Sequence, residues 1–313
     1  MKKILITGGT VFVSKYTADY MVKRGYDVYV LNRGNHEQIE GVTLLQGDRH
    51  NAASLLKDHH FDVVLDITAY SEKDIRDFAR ALGSYDQYIM VSSSAVYPET
   101  GKQPFVEEEI LGPNKFWKDY GTDKIAAERA LLEMVQDAYI VRPPYLYGPM
   151  NNVYREAFVF ECALANRPFY LPKDGSMKLQ FFMVDDLCRL FEILMDTKPK
   201  EHILNVGNKE SIRIKDWVNL CYACADKKPF FIEVHQEIDQ RKYFPFYEYE
   251  YYLDVTKQNQ ILTDTMSMEK GLGLCYEWYL NHKNEVKRKP LLEFIEQNPD
   301  IFKKNSRTFI KFK

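Results

Sequence analysis

Nowhere along the 313 residues is there a run approaching the roughly 18 to 20 consecutive apolar side chains that a membrane-spanning helix requires. The start, Met1-Lys2-Lys3-Ile4-Leu5-Ile6-Thr7-Gly8, passes directly into an expected strand and a glycine turn, an apolar run too short for a secretory leader. Cysteine is scarce and odd in number. The five at Cys162, Cys188, Cys221, Cys224 and Cys275 fall mostly in apolar helical patterns, so reduced core thiols in a cytoplasmic protein are expected. Cys221-Tyr222-Ala223-Cys224 has C-x-x-C spacing, but no second pair or histidine cluster joins it, and no metal site is expected. An excess of either charge is also lacking: 42 Lys and Arg face 45 Asp and Glu, a net charge of -3. That balance removes the global electrostatic case for nucleic acid or membrane as the main partner. The one basic cluster, Lys303, Lys304, Arg307, Lys311 and Lys313, reads as a solvated chain end. Internal repeats and low-complexity linkers are missing too. With 45% hydrophobic and 28% charged residues, the composition is that of a globular protein able to bury a sizeable core.

What is present is an alternation of short β-rich runs and amphipathic stretches. Strands are predicted at 3–7, 27–31, 43–46, 62–66, 87–92 and 138–141, with helices near 14–24, 52–58, 72–82 and 120–135. The strands are continuous apolar runs, as in a parallel sheet covered on both faces. The fold expected is α/β, a doubly wound parallel Rossmann-type sheet over residues 1–150, with a smaller, interleaved C-terminal substrate lobe over 151–313. Within that lobe, 203–207 reads as a strand returning to the main sheet. The aromatic tract from Tyr243 to Tyr252 reads as core packing rather than a base-stacking platform.

Thr7-Gly8-Gly9-Thr10-Val11-Phe12-Val13-Ser14 follows a strand and opens a helix, the context in which backbone amides meet a pyrophosphate. A G-x-x-G-x-x-G spacing would put glycines at 8, 11 and 14, whereas Val11 and Ser14 stand at the second and third places, so the fingerprint is degenerate. After the second strand the chain reads Leu31-Asn32-Arg33-Gly34. An acid there would bind the 2′-hydroxyl of NAD, and an Arg accommodates the 2′-phosphate of NADP, so NADP(H) is favoured with NAD(H) as the alternative. Asp48, after the third strand, is placed to meet the adenine. Thr68-Ala69-Tyr70, after the fourth, lies at the ligand-binding edge.

Tyr120 and Lys124 sit four residues apart on a predicted helix, hence on one face. A fixed positive charge lowers the pKa of a nearby phenol so that it can exchange a proton at neutral pH. A second copy of the spacing, Tyr279 to Lys283, follows no sheet strand and no serine run and reads as an exposed amphipathic helix. The first copy is set apart by Val91-Ser92-Ser93-Ser94-Ala95-Val96-Tyr97, which ends a buried strand and offers a hydroxyl for a substrate oxygen.

With these pieces in order, the chain resembles an extended short-chain dehydrogenase/reductase of the NAD(P)-dependent epimerase/dehydratase superfamily over nearly its whole length. Further matching segments are Arg142-Pro143-Pro144-Tyr145-Leu146-Tyr147-Gly148-Pro149, Phe182-Met183-Val184-Asp185-Asp186 and Asn205-Val206-Gly207. The Gly8-Gly9-Thr10-x-Phe12 turn and Asn32-Arg33-Gly34 resemble an atypical branch that includes the chloroplast stem-loop-binding proteins. The resemblance implies Ser93, four residues before Tyr97, as the catalytic hydroxyl beside Tyr120 and Lys124. It also implies cofactor contacts at Gly8, Gly9, Thr10, Phe12, Val13, Asn32, Arg33, Asp48, Thr68, Ala69, Tyr70 and Pro143 together with Tyr120 and Lys124. Substrate contacts are implied at Ser94, Tyr147, Lys178 and Gln180. Dehydratases of the family carry Asp and Glu where this chain has Ser94 and Ala95, which favours a nucleotide-sugar epimerase or reductase, acting as a homodimer. The alternative is a non-catalytic cofactor-binding regulator or RNA-associated protein on the same fold.

Overall fold

The computed structural model describes residues 1–303, so of the basic tail only Lys303 is included and the rest lies outside the described residues. The described residues divide into two compact units, one of 1–150, 180–209 and 251–266, the other of 151–179, 210–250 and 267–303.

The first unit is built on a seven-stranded sheet. Its strands are β1 (Lys3–Thr7), β2 (Asp27–Asn32), β3 (Thr43–Gln46), β4 (His60–Asp66), β5 (Ser84–Val91), β6 (Tyr139–Arg142) and, from the later segment, Ile203–Asn205. The order is Ile203–Asn205, β6, β5, β4, β1, β2, β3, and every pairing is parallel. Because successive side chains of a strand point to opposite faces, the apolar runs supply two cores at once. Ile4, Ile6, Val63 and Leu65 pack with Ala18 and Met21 of α1 (Phe12–Lys23) and with Leu187, Leu190, Phe191 and Leu194 of the helix Val184–Thr197. Leu5, Val64, Tyr88 and Met90 face the other way. There, beyond the short α2 (Ala53–Leu56), they meet Ile75 and Phe78 of α3 (Glu72–Ala81) and Ala127, Ala130 and Leu131 of α4 (Asp119–Met134). A capping box starts α3: Ser71 accepts from the Asp74 N–H and Asp74 from the Ser71 N–H. A short strand, β7 (Tyr145–Tyr147), pairs in parallel with Phe181–Met183. Strand order reverses between β1 and β4, which opens a crevice at their carboxyl ends.

The second unit has two small strand pairs, Phe169–Pro172 with Phe231–Val234 and Lys178–Leu179 with Ile212–Arg213. The helices Glu156–Leu164, Ile214–Ala223 and Met268–His282 surround an aromatic core. Phe169 meets Phe158, Tyr222 and Phe244 edge-on or tilted, and Trp217 meets Phe246. Tyr243, Phe244, Phe246 and Tyr249 of the aromatic tract are buried here. Tyr279, expected on an exposed helix, is instead 3% exposed and packs on Phe160, because the face of Met268–His282 that carries it is the buried one. All five cysteines are free thiols, and four are buried. Among the described residues no helix is long and apolar enough to cross a membrane.

Candidate functional site: a cleft at the strand ends beside a Ser, Tyr and Lys set

A cleft of about 390 Å³ lies at the carboxyl ends of β1 to β4, and Gly8, Thr10, Asn32, Arg33, Asp48 and Thr68 are among its lining residues. Gly8 has φ +94°, and a Cβ there would meet Ser14 Oγ at 2.8 Å and Thr68 Cγ2 at 2.9 Å, so a side chain would fill the cradle the turn leaves open. Val11, at the helix N-cap, supplies no side-chain acceptor, which leaves the first-turn amides of α1 for an anion. Ser14 does not cap the helix from outside. It lies in the first turn and donates its hydroxyl to the Val11 carbonyl at 3.0 Å. Phe12 is buried at φ +36°, and Val13 packs on the sheet core.

At the end of β2, Asn32 donates to the Gly8 carbonyl at 2.7 Å and to Gln38 at 2.9 Å, fixing the turn from the side. The Arg33 side chain is exposed at the cleft, where Asn35 and His36 also lie. Asp48 accepts from the His50 N–H at 2.9 Å. The next residue, Arg49, was not singled out by sequence reasoning. It pairs with the fully buried Asp66 at 2.7 Å. Asp66 also accepts from Tyr88 at 2.6 Å and from Thr7 at 2.8 Å. Burial alone would push the Asp66 carboxyl up, but the guanidinium and these hydrogen bonds outweigh it and hold it below the usual carboxylate range. The available signal was an acid closing an apolar strand, which requires a partner that local spacing does not reveal.

Ser93 ends the β5 segment and accepts from the Ala95 N–H at 3.1 Å, leaving its hydroxyl hydrogen to donate. Gly121 brings α4 against this turn: a Cβ there would lie 2.5 Å from the Ala95 carbonyl oxygen. Tyr120, 41% exposed, precedes it, its ring 6.4 Å from that of Tyr70. Lys124 is 2% exposed and donates to the carbonyls of Ala69 at 2.7 Å and Val91 at 2.9 Å, with its ammonium 5.0 Å from the Tyr70 ring centre. Burial pushes that ammonium down to about 8, against the pull of Asp66 and Glu128. One turn further along α4, Glu128 forms a buried pair with Arg142 at 2.6 Å and accepts from Ser92, tying the helix to the strand end that carries Ser93.

The remaining expected residues divide. Pro143 accepts from the Ser94 N–H at 2.9 Å, beside the serine turn. Ser94 is buried and donates to Tyr251 at 3.3 Å, and Tyr147 is buried against Phe181. Lys178 is exposed in the second unit. Gln180, expected to touch substrate, is buried and holds backbone instead: its amide donates to the Asn208 and Leu253 carbonyls, and its oxygen accepts from the Leu253 N–H. A side chain that offers both a donor and an acceptor suits that bridge, which a basic residue could not complete.

Residues 4–81 and 69–207 match the NAD dependent epimerase/dehydratase family. A chloroplast stem-loop binding protein of 41 kDa from Arabidopsis thaliana is 29% identical over 310 residues, 87% of this chain and 80% of its own. A UDP-N-acetyl-alpha-D-glucosaminuronate decarboxylase from Bacillus cytotoxicus is 25% identical, covering 91% of this chain and 99% of its own. Among solved structures, a UDP-glucose 4-epimerase from Thermotoga maritima with UDP-glucose superposes with TM-score 0.73 at 20% identity, over 89% of this chain and 99% of that one. A UDP-glucuronic acid 4-epimerase from Bacillus cereus, in complex with UDP-glucuronic acid and NAD, gives 0.71 at 20% over the same shares. The glycine turn, the cleft at the strand-order reversal and the matched span converge: this chain belongs to the NAD dependent epimerase/dehydratase family, a family of enzymes.

Proposed function

We propose that the chain is an NAD(P)-dependent sugar-nucleotide epimerase or reductase that works by hydride transfer with Ser93, Tyr120 and Lys124. The observation that carries this reading is Lys124. A lysine held almost wholly out of water is costly, and here it lies on a helix whose preceding turn bears an exposed phenol, at the edge of the sheet where ligands bind.

The residues present fit a nicotinamide dinucleotide: the Gly8 cradle, the uncapped α1 amides and the cleft at the strand ends suit a pyrophosphate and nucleoside. When bound, the nicotinamide supplies the hydride acceptor or donor. Tyr120 exchanges the proton of the substrate hydroxyl. Ser93, satisfied as an acceptor by Ala95, donates to the same oxygen and orients it. Lys124 has two N–H groups on backbone carbonyls and a third that would hold the nicotinamide ribose, while its charge would ease loss of the phenol proton. Arg33 at the cleft, with no acid at the end of β2, supports NADP(H) over NAD(H). Ser94 and Ala95 offer no carboxyl pair for an elimination, which supports epimerase or reductase over dehydratase. Lys178 is kept as a proposed cation for a substrate diphosphate, whereas Gln180 is not kept. The free thiols suit a reducing, cytoplasmic setting.

Tyr120→Phe tests the assignment: single-turnover nicotinamide absorbance with a sugar nucleotide should slow by about 10²- to 10⁴-fold while cofactor binding persists. Tyr279→Phe should leave that rate unchanged. Normal turnover in Tyr120→Phe would remove the main residue. The stem-loop binding relative favours one second reading, an RNA-associated protein without turnover. A salt-sensitive RNA mobility shift, with no hydride exchange in the wild type, would place that reading first.

A further inference from the structure

We infer that Arg49 is the platform on which the adenine base of the cofactor stacks, an inference that rests on the reading above that the cleft takes a nicotinamide dinucleotide. Arg49 lines the cleft directly after Asp48, and its guanidinium is fixed in plane. Nη2 and Nη1 reach the two oxygens of Asp66 at 2.7 and 3.2 Å, and Nη1 also reaches Thr68 Oγ1 at 3.3 Å. Asp66 cannot swing away, because Tyr88 and Thr7 hold the same carboxylate. The guanidinium carbon lies over the ring of the fully buried Phe78, 5.0 Å from its centre. Held through Nη1 and Nη2 by Asp66 and Thr68 and packed against Phe78, the guanidinium is fixed in place where Arg49 lines the cleft.

A planar cation clamped at its edge and backed by an aromatic ring is a stacking surface for a base, since guanidinium planes pack on aromatic and nucleobase faces. Charge neutralisation of Asp66 alone does not call for this arrangement: a lysine would supply the charge, and an apolar pair in place of both residues is often no less stable than a buried ion pair. The bidentate clamp adds orientation, which matters to a flat ligand.

The test is ADP binding by calorimetry. Arg49→Lys keeps a cation for Asp66 but loses the plane, and should weaken ADP about tenfold, within the range of one base stacking on one side chain. The double variant Arg49→Met/Asp66→Asn removes both charges together and should show the same loss with its fold intact. Undiminished ADP affinity in either folded variant overturns the platform. In the wild type, where no substitution can disturb folding, stacking should move the Arg49 Nε–H proton resonance upfield on addition of ADP, and an unmoved resonance also overturns it. A wild type that binds neither ADP nor NADPH sinks the dinucleotide reading itself, whereas ADP binding indifferent to Arg49 sinks only the platform.

Discussion

Among the single residues, the role proposed for Lys124 rests on a charged group held almost wholly out of water. Burial lowers its value from 10.5 to about 8, so between these pH values the unfolded chain holds more protons and folding stability rises with pH. The cost is full below about pH 8 and vanishes above 10.5. Denaturation of the wild type and Lys124→Met at pH 7 and pH 10 should therefore show the wild type gaining about 2 to 3 kcal/mol on its variant. An unchanged difference would mean that the ammonium is not desolvated. Over the same range hydride exchange should fall as Lys124 loses its charge. At the cleft, NADPH should bind more tightly than NADH, and Arg33→Ala should erase most of the gap in a fluorescence titration. Equal wild-type affinities would remove Arg33 from the account.

At the scale of elements, the contact between α4 and the serine turn depends on Gly121. Replacing it with Ala drives a Cβ into the Ala95 carbonyl, and a backbone atom cannot swing aside as a side chain can. Gly121→Ala is expected to cost about 1 to 3 kcal/mol and to lower the hydride rate more than cofactor affinity, as thermal melts and single turnovers would report. Wild-type behaviour would show that the close approach is dispensable. This contact was not legible in the sequence, where Gly121 is only a small residue between Tyr120 and Lys124. The central strands were legible because buried parallel strands are unbroken apolar runs. Their starts were less so: β5 begins at Ser84 rather than Gln87, and its first residues, Ser84-Tyr85-Asp86, lack the buried apolar run that marks the rest of the strand. Arg49 with Asp66 and Gln180 with Leu253 join residues distant in sequence, and no local period encodes such partners. Tyr279 failed for the same reason, since Phe160 supplies its contact.

For the whole molecule, we propose a homodimer in which α4, the helix of Tyr120 and Lys124, and the preceding α3 pair with their copies, as the family resemblance implies. The exposed residues of these helices include Lys73, Arg80, Asp123, Arg129 and Glu133, and Arg76 bridges the two by pairing with Glu72 and Glu133. Such surfaces associate through screened charges, so light scattering should give a dimer at about 0.05 M salt and a lower mass near 1 M. A monomer at low salt would overturn it. The interleaving of the first unit has a further consequence, for biosynthesis. When residue 150 leaves the ribosome, β6 is an open edge and one sheet face lacks Leu187, Leu190, Phe191 and Leu194. The nascent sheet must wait for Ile203–Asn205 to close that edge, exposing a parallel strand to other chains in the meantime. A fragment ending at 150 should aggregate, and arrested chains should gain protease resistance only after the segment through 209 has emerged.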